Sequence, residues 1–275
     1  MINIIQNTIG ALGRRVTSSP SFVGLLNTYS GAAIAYSLRQ LDSTYTGSAI
    51  RVRRSSDNVE QDIGFANNIL DTASLLTFVG SGDGFVTTWY DQSGNAGNAT
   101  KSTAADQPKI VSSGSVILDN GLPTVEFNGI SSWLDITQLT INNYSLYVAA
   151  SVSDMSDNRT LIGKYTSDYI YIASGGSILK TNPGGKFYNF NAVIDTQYLL
   201  SANRDVSNNI TTRKDGATLT SSYQSSTTTY FRRIGQANGL WYYAGNISEM
   251  VLYPSDKSSD RTGIEGDINT YYSIY

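Results

Sequence analysis

Residues 211–220, TTRKDGATLT, decide the fold class, because Asp215-Gly216 sits there between two alternating segments. Asp and Gly accept the positive φ angles of the tight turns that join hairpin strands, so the spacing predicts two antiparallel strands and a two-residue turn. The same grammar runs outward from this point. In AIRVRR, residues 49–54, Ile50 and Val52 alternate with Arg51 and Arg53, which predicts a strand with one buried and one wet face. Turn-punctuated strand candidates recur from about residue 30 to residue 253. Many short strands with few helices predict an all-β sandwich or jelly roll.

Three stretches break the alternation. LDTASLLTFVG, residues 70–80, has Asp71 or Thr72 at its start, Leu75, Leu76 and Val79 as an apolar stripe and Gly80 at its end, which predicts one internal helix. In SSDRTGIEGDINTYYSIY, residues 258–275, Ile264, Ile268, Tyr271 and Tyr272 recur at helical spacing after a serine cap, which predicts a closing helix. At the start, Met1, Ile5, Ile9, Leu12 and Val16 form a short amphipathic stripe followed by the linker TSSPS. The division expected is an N-terminal arm, residues 1–28, and one sandwich domain, residues 29–275.

The 275 residues include no cysteine and no histidine, which removes disulfides, thiolate zinc sites, imidazole bases and Ser-His-Asp triads. A net charge of −3 without a basic run argues against nucleic acid as a partner. Neither a secretion signal nor a membrane span is read in the chain.

Two sets of residues carry candidate sites. Trp133, Trp241, Tyr242 and Tyr243 fall near strand ends, where exposed aromatic faces can stack on sugar rings. In WYDQSGNAGNAT, residues 89–100, the oxygens of Asp91, Ser93 and Asn95 alternate as hard ligands do in calcium loops, although the bidentate Glu of such a loop is missing and Ser102 stands in its place. The competing reading is a self-bonded strand-to-loop corner, since Asp, Ser and Asn bond nearby backbone amides in turns. No other cofactor is expected.

Family resemblances sharpen these expectations. YSLYVAASVSDMSDNRTLIGK (144–164), YLLSANRDVSNNITTRKDGATL (198–219) and the run from Arg232 to the C-terminus resemble, in order, the segments of concanavalin A-like, laminin-G-like domains. YDQSGN, residues 90–95, resembles a segment of the catalytic domain of fungal α-L-arabinofuranosidase B. The longer run from YTGSAIRVRR through QPKIV resembles a module of bacteriophage structural proteins.

Glycosidases need two carboxylates across the scissile bond. The chain has four glutamates, Glu60, Glu126, Glu249 and Glu265, and none is matched to the nucleophile of the arabinofuranosidase family. The expectation is therefore a concanavalin A-like jelly roll acting as a non-enzymatic bacteriophage virion protein, a spike, fibre or decoration on the particle surface. The phage resemblance implies other virion proteins as partners through the arm, a host-surface glycan as ligand, and a homo-oligomer. The alternatives are a glycoside hydrolase of arabinofuranosidase type and a free carbohydrate-binding module.

Overall fold

The computed structural model describes residues 22–164, 168–176, 178–182, 186–219, 223–224, 227–237 and 239–275. Its strands form two stacked antiparallel layers, a β-sandwich of the concanavalin A-like jelly-roll type. In the back sheet, Ile34–Ser37 and Val125–Asn128 share one edge of the long Ala244–Tyr253 strand; Tyr144–Val152, Tyr198–Arg204 and Asn209–Lys214 follow on its other side. The front sheet runs Glu60–Ile63, Ile50–Arg54, Gly84–Trp89, Ala99–Thr100, Leu134–Ile141, Thr229–Ile234, Arg159–Gly163 and Tyr169–Ile172. Lys109–Ser112 pairs with a strand of each sheet and joins the two layers at one edge.

The hairpin deduced from TTRKDGATLT forms as expected. Lys214 pairs with Ala217, and both turn residues are left-handed, with φ of 52° at Asp215 and 75° at Gly216. Two of the predicted helices also form. Helix α2, Thr72–Val79, is capped by the Asp71 carboxylate, which accepts from the Ser74 amide at 3.0 Å. Helix α3, Arg261–Tyr272, closes the chain.

Between the sheets, Ile50, Val52, Val86, Trp89 and Leu134 of the front meet Leu146, Val148, Ile247 and Met250 of the back. The back sheet is apolar on its outer face as well. There Tyr147, Ala149, Val251 and Tyr253 pack on Ile264, Ile268 and Tyr272 of α3. Each such aliphatic side chain contributes about 1.5–3 kcal/mol on burial, so α3 is held by its stripe rather than by helix propensity.

Leu25 and Leu26 of the short helix α1, Leu25–Thr28, belong to the same outer layer. The piece of chain from residue 22 to residue 28, expected in the arm, is thus part of the sandwich. The amphipathic stripe from Met1 to Val16 and the linker up to residue 21 lie outside the described residues.

The Gly245-Asn246-Ile247-Ser248-Glu249 run has a division of labour. Gly245 has φ of 139°, and a Cβ there would come within 2.1 Å of the Ser151 carbonyl oxygen, so this strand crossing admits only glycine. Ile247 enters the core between the sheets. Glu249, fully buried, accepts from Arg39 Nε at 2.8 Å and from Ser37 Oγ at 2.8 Å, and is a structural acid.

Candidate active site

Among the described residues, no helix covers the outer face of the front sheet as α3 covers that of the back sheet. On the front sheet, alternation puts Ile50 and Val52 inward and Arg51 and Arg53 outward, and strand register then lines up the outward residues of different strands. Asp62 pairs with Arg51, Arg51 with Thr88, Thr88 with Thr100, Thr100 with Asp135, and Asp135 with Arg233. Side chains from positions 51 to 233 therefore stand in one row across the open face. The hairpin of Gln236–Ala237 and Trp241–Tyr242 folds over the far end of the row, close enough that a Cβ on Gly163 would meet the Ala237 methyl at 2.9 Å.

A polar cleft of about 290 Å³ opens in this row, lined by Glu60, Thr87, Thr88, Thr100, Lys101 and Asp135. Glu60 is gripped through one oxygen: Oε2 accepts from Arg51 Nε at 2.8 Å and from Thr87 Oγ1 at 3.4 Å. Asp135 is held through both. Its Oδ1 accepts from Arg233 Nε at 3.0 Å and its Oδ2 from Trp133 Nε1 at 3.1 Å. Lys101 supplies positive charge at the same end, with Nζ 3.0 Å from the centroid of the Trp133 ring and 3.3 Å from Asp106. Beside Glu60, Asp62 accepts from the Tyr90 hydroxyl at 2.7 Å. The Tyr90 phenol is raised above its ordinary pKa by burial and by that hydrogen bond, so it stays a donor at neutral pH.

Two of the four aromatic residues singled out in the sequence, Trp133 and Tyr242, gather at the Asp135 end. Trp133 and Tyr242 are half-buried, with ring centroids 5.9 Å apart. Trp241 stacks on Tyr171 at 5.2 Å and 29° and meets Tyr169 edge-on. Tyr243 does not join them. It is 0 % exposed, packed edge-on against Phe127 and hydrogen-bonded to Tyr198 and the Ser151 carbonyl, so the expectation that it binds a ligand is corrected.

The Asp91 corner is closed on itself. Asp91 Oδ1 accepts from the amides of Ala35 (2.8 Å) and Ser93 (2.9 Å), and Oδ2 from the Gly97 amide (2.9 Å) and the Ser93 hydroxyl (2.7 Å). Asn95 donates to the Ala32 carbonyl at 2.9 Å. Gln92 is buried, accepts from the Leu41 amide and donates to the carbonyls of Ser37 and Arg39. Both Asp91 oxygens and the Ser93 hydroxyl, expected to hold calcium, are thus spent on the strand edge at Ala35 and on the loop itself, as in the turn reading of WYDQSGN.

Comparison with known proteins gives this architecture a family. Residues 27–172, more than half of the chain, match the family described as alpha-L-arabinofuranosidase B, catalytic. The chain belongs to that family. Among solved structures it is similar to a GH54 α-L-arabinofuranosidase soaked with a cyclic sulfate inhibitor, at a TM-score of 0.68 and 16% identity over 86% of this chain and 62% of that one. It is also similar to an arabinofuranosidase complexed with arabinofuranosyl-α-1,2-xylobiose, at a TM-score of 0.66 and 17% identity over the same shares. At these identities the likeness is one of fold, and the chain spans 62% of the length of those structures. No curated protein matches the chain.

Membership in the arabinofuranosidase B family corrects the expectation of a non-enzymatic bacteriophage virion protein. The match covers a catalytic domain and extends well beyond YDQSGN, through the module read as phage-like. Particle-surface location loses its ground with it. The sequence reading searched for paired glutamates and stopped at their absence. What it missed was Asp135, in LDIT, whose outward position opposite Thr100 only the strand register reveals.

Proposed function

We propose that this chain is a glycoside hydrolase acting on α-L-arabinofuranosides, with Glu60 and Asp135 as its working carboxylates. The observation that carries the proposal is that these two acids line one polar cleft on the open face of a sandwich belonging to the arabinofuranosidase B family. Glycoside hydrolysis needs two carboxyl groups and neither cysteine nor histidine, which suits a chain that has none of either.

The local bonding supports distinct roles. Asp135, fixed through both oxygens, is oriented as the nucleophile or base. Glu60, anchored through Oε2 to Arg51 and Thr87, is the second carboxylate of the pair. At about 290 Å³ the cleft lies just under the usual range of small-molecule pockets, a size for one sugar ring rather than a long segment. Trp133 and Tyr242 stand beside it as an apolar wall for the sugar or its aglycone.

A mutant of the GH54 enzyme has been soaked with 4-nitrophenyl α-L-arabinofuranoside, and the same compound is the test substrate here. The purified protein is expected to release 4-nitrophenol. Glu60→Gln and Asp135→Asn should each lower kcat by about 10²-fold or more, the usual contribution of a positioned acid or base. Absence of turnover by the native protein, or full activity in both variants, overturns the assignment.

A further inference from the structure

We propose that the N-terminal segment of this chain, residues 1–16, seats its apolar stripe in a groove on the chain's own sandwich, beside the end of α3. There α2, the strand pair of Leu118–Asp119 and Leu122–Pro123, and Tyr271 of α3 surround about 400 Å³. None of the lining residues belongs to the open-face cleft, so the proposal is independent of the catalytic reading.

The groove is built from Ile69, Leu76, Val116, Leu118, Leu122 and Tyr271, and among the described residues no charged side chain lines it. Ile69 is 48% exposed and Leu118 is 54% exposed, while the next residue of each strand, Leu70 and Asp119, is buried. The pleat thus turns both aliphatic side chains outward, where a strand with one wet face ordinarily carries polar groups. Large aliphatics that point outward into one shared apolar groove mark a surface that something covers.

That surface continues a layer which the start of the described chain already joins. Leu25 and Leu26 of α1 lie in the outer layer with α3, and Leu122 and Tyr271 pack against the same layer while lining the groove. The way from one to the other is short. A Cβ on Gly24 would come within 2.2 Å of the Leu41 carbonyl oxygen, and two residues before Leu41, Arg39 forms a bridge to Ile69. At about 3.8 Å per Cα step and about 5 Å per backbone pairing, this path puts Ile69 within about 20 Å of Gly24. The chain from Val16 to Gly24 can span about 25 Å when extended, so the stripe reaches the groove with α1 in place.

The segment has the matching chemistry. Met1, Ile5, Ile9, Leu12 and Val16 recur every three or four residues, the spacing that gathers side chains on one helical face. A free helix of that length, with Gly10 and Gly13 inside it, is marginal, and an apolar groove is the packing partner it needs. The charges of the segment are Arg14 and Arg15 alone, so the acidic excess of a chain of net charge −3 lies entirely on the rest of the molecule. Asp71 stands between the lining residues Leu70 and Thr72. The tether decides between this chain's stripe and that of a second copy, because a short linker holds its own stripe at an effective concentration on the order of millimolar.

The absence of cysteine from the chain makes disulfide trapping in the full-length protein unambiguous. Ile9→Cys combined with Leu118→Cys is expected to close an intramolecular disulfide about tenfold or more faster than Ile9→Cys combined with Leu240→Cys. Leu240 is the control because it is 68% exposed and lies in the hairpin over the front sheet. Equal rates, or cross-linked dimers in place of monomers, overturn the proposal. Ile5→Asp with Ile9→Asp leaves the packing of the sandwich intact and should raise binding of the apolar dye ANS several-fold by uncovering the groove; adding Leu118→Asp should bring it back down. Dye binding unchanged by the two N-terminal substitutions overturns the proposal as well.

Discussion

The two sheets turn the same kind of ion pair to opposite ends. Behind the sandwich, Arg39 and Glu249 meet at 2.8 Å under α3, with the Glu249 side chain 0 % exposed and the Arg39 guanidinium also bonded to Asp267 at 2.7 Å and stacked on Tyr271. In front, Arg51 and Glu60 meet at the same 2.8 Å, but their side chains are 41% and 38% exposed. Distance does not separate the two pairs; desolvation does. A pair sealed beneath a helix must stay matched, because either partner alone would be a buried charge. A pair on an open face can lend its carboxylate to chemistry at little cost in stability.

Substitutions along this contrast are expected to fall in a definite order of stability. The largest loss is predicted for Glu249→Ala, about 3–5 kcal/mol by urea denaturation, since it removes the buried partner of Arg39 and leaves that guanidinium only Asp267. A loss under about 1 kcal/mol would mean that the back pair is no more structural than the front one. Asp91→Ala comes next. It removes an acceptor from three backbone amides and a hydroxyl, and should cost about 2–3 kcal/mol at neutral pH, read as a fall in the denaturation midpoint. Unchanged stability would show that the YDQSGN corner does not depend on its acid.

Asp119→Asn is expected to have a smaller effect, of opposite sign. The folded protein raises the Asp119 pKa, so it binds that proton more tightly than the unfolded chain; the stabilisation is complete below the unfolded pKa and is lost as pH rises through the folded one. The neutral Asn variant should therefore melt higher than the native protein at pH 7, and the gap should close on acidification. A variant that melts lower at pH 7 contradicts the burial cost. Glu60→Gln and Asp135→Asn should barely move the melting temperature while removing turnover, and a large loss of stability in either would place the front row with the structural acids.

The sequence exposed most of the fold because its signals are local. The Asp215-Gly216 turn, the Ile50 and Val52 alternation, the Asp71 cap and the stripe of Ile264 and Ile268 each depend on neighbours within a few residues. Where a strand is covered on both sides the alternation vanishes: Tyr144–Val152 is buried at all nine positions, with Leu146 and Val148 facing the front sheet and Tyr147 and Ala149 facing α3. That strand could be read as buried, but not as sandwiched between a sheet and a helix.

The site was far less legible, for a physical reason. Among the four aromatic candidates, nothing local distinguishes Tyr242, half-buried against Trp133, from its neighbour Tyr243 in the core. The polar crowding of WYDQSGNAGNAT drew attention to Asp91, whose four bonds close on the protein itself. Glu60 and Asp135 are 75 positions apart and share a cleft only because strand pairings between them hold one register. By itself the sequence determined the strand periodicity, the turns, the ends of α2 and the absence of thiol and imidazole chemistry, all set by residue type and short spacing. Only the tertiary structure decided which acids are sealed and which are open, because register and the covering of α3 are long-range events that place distant side chains on a common face.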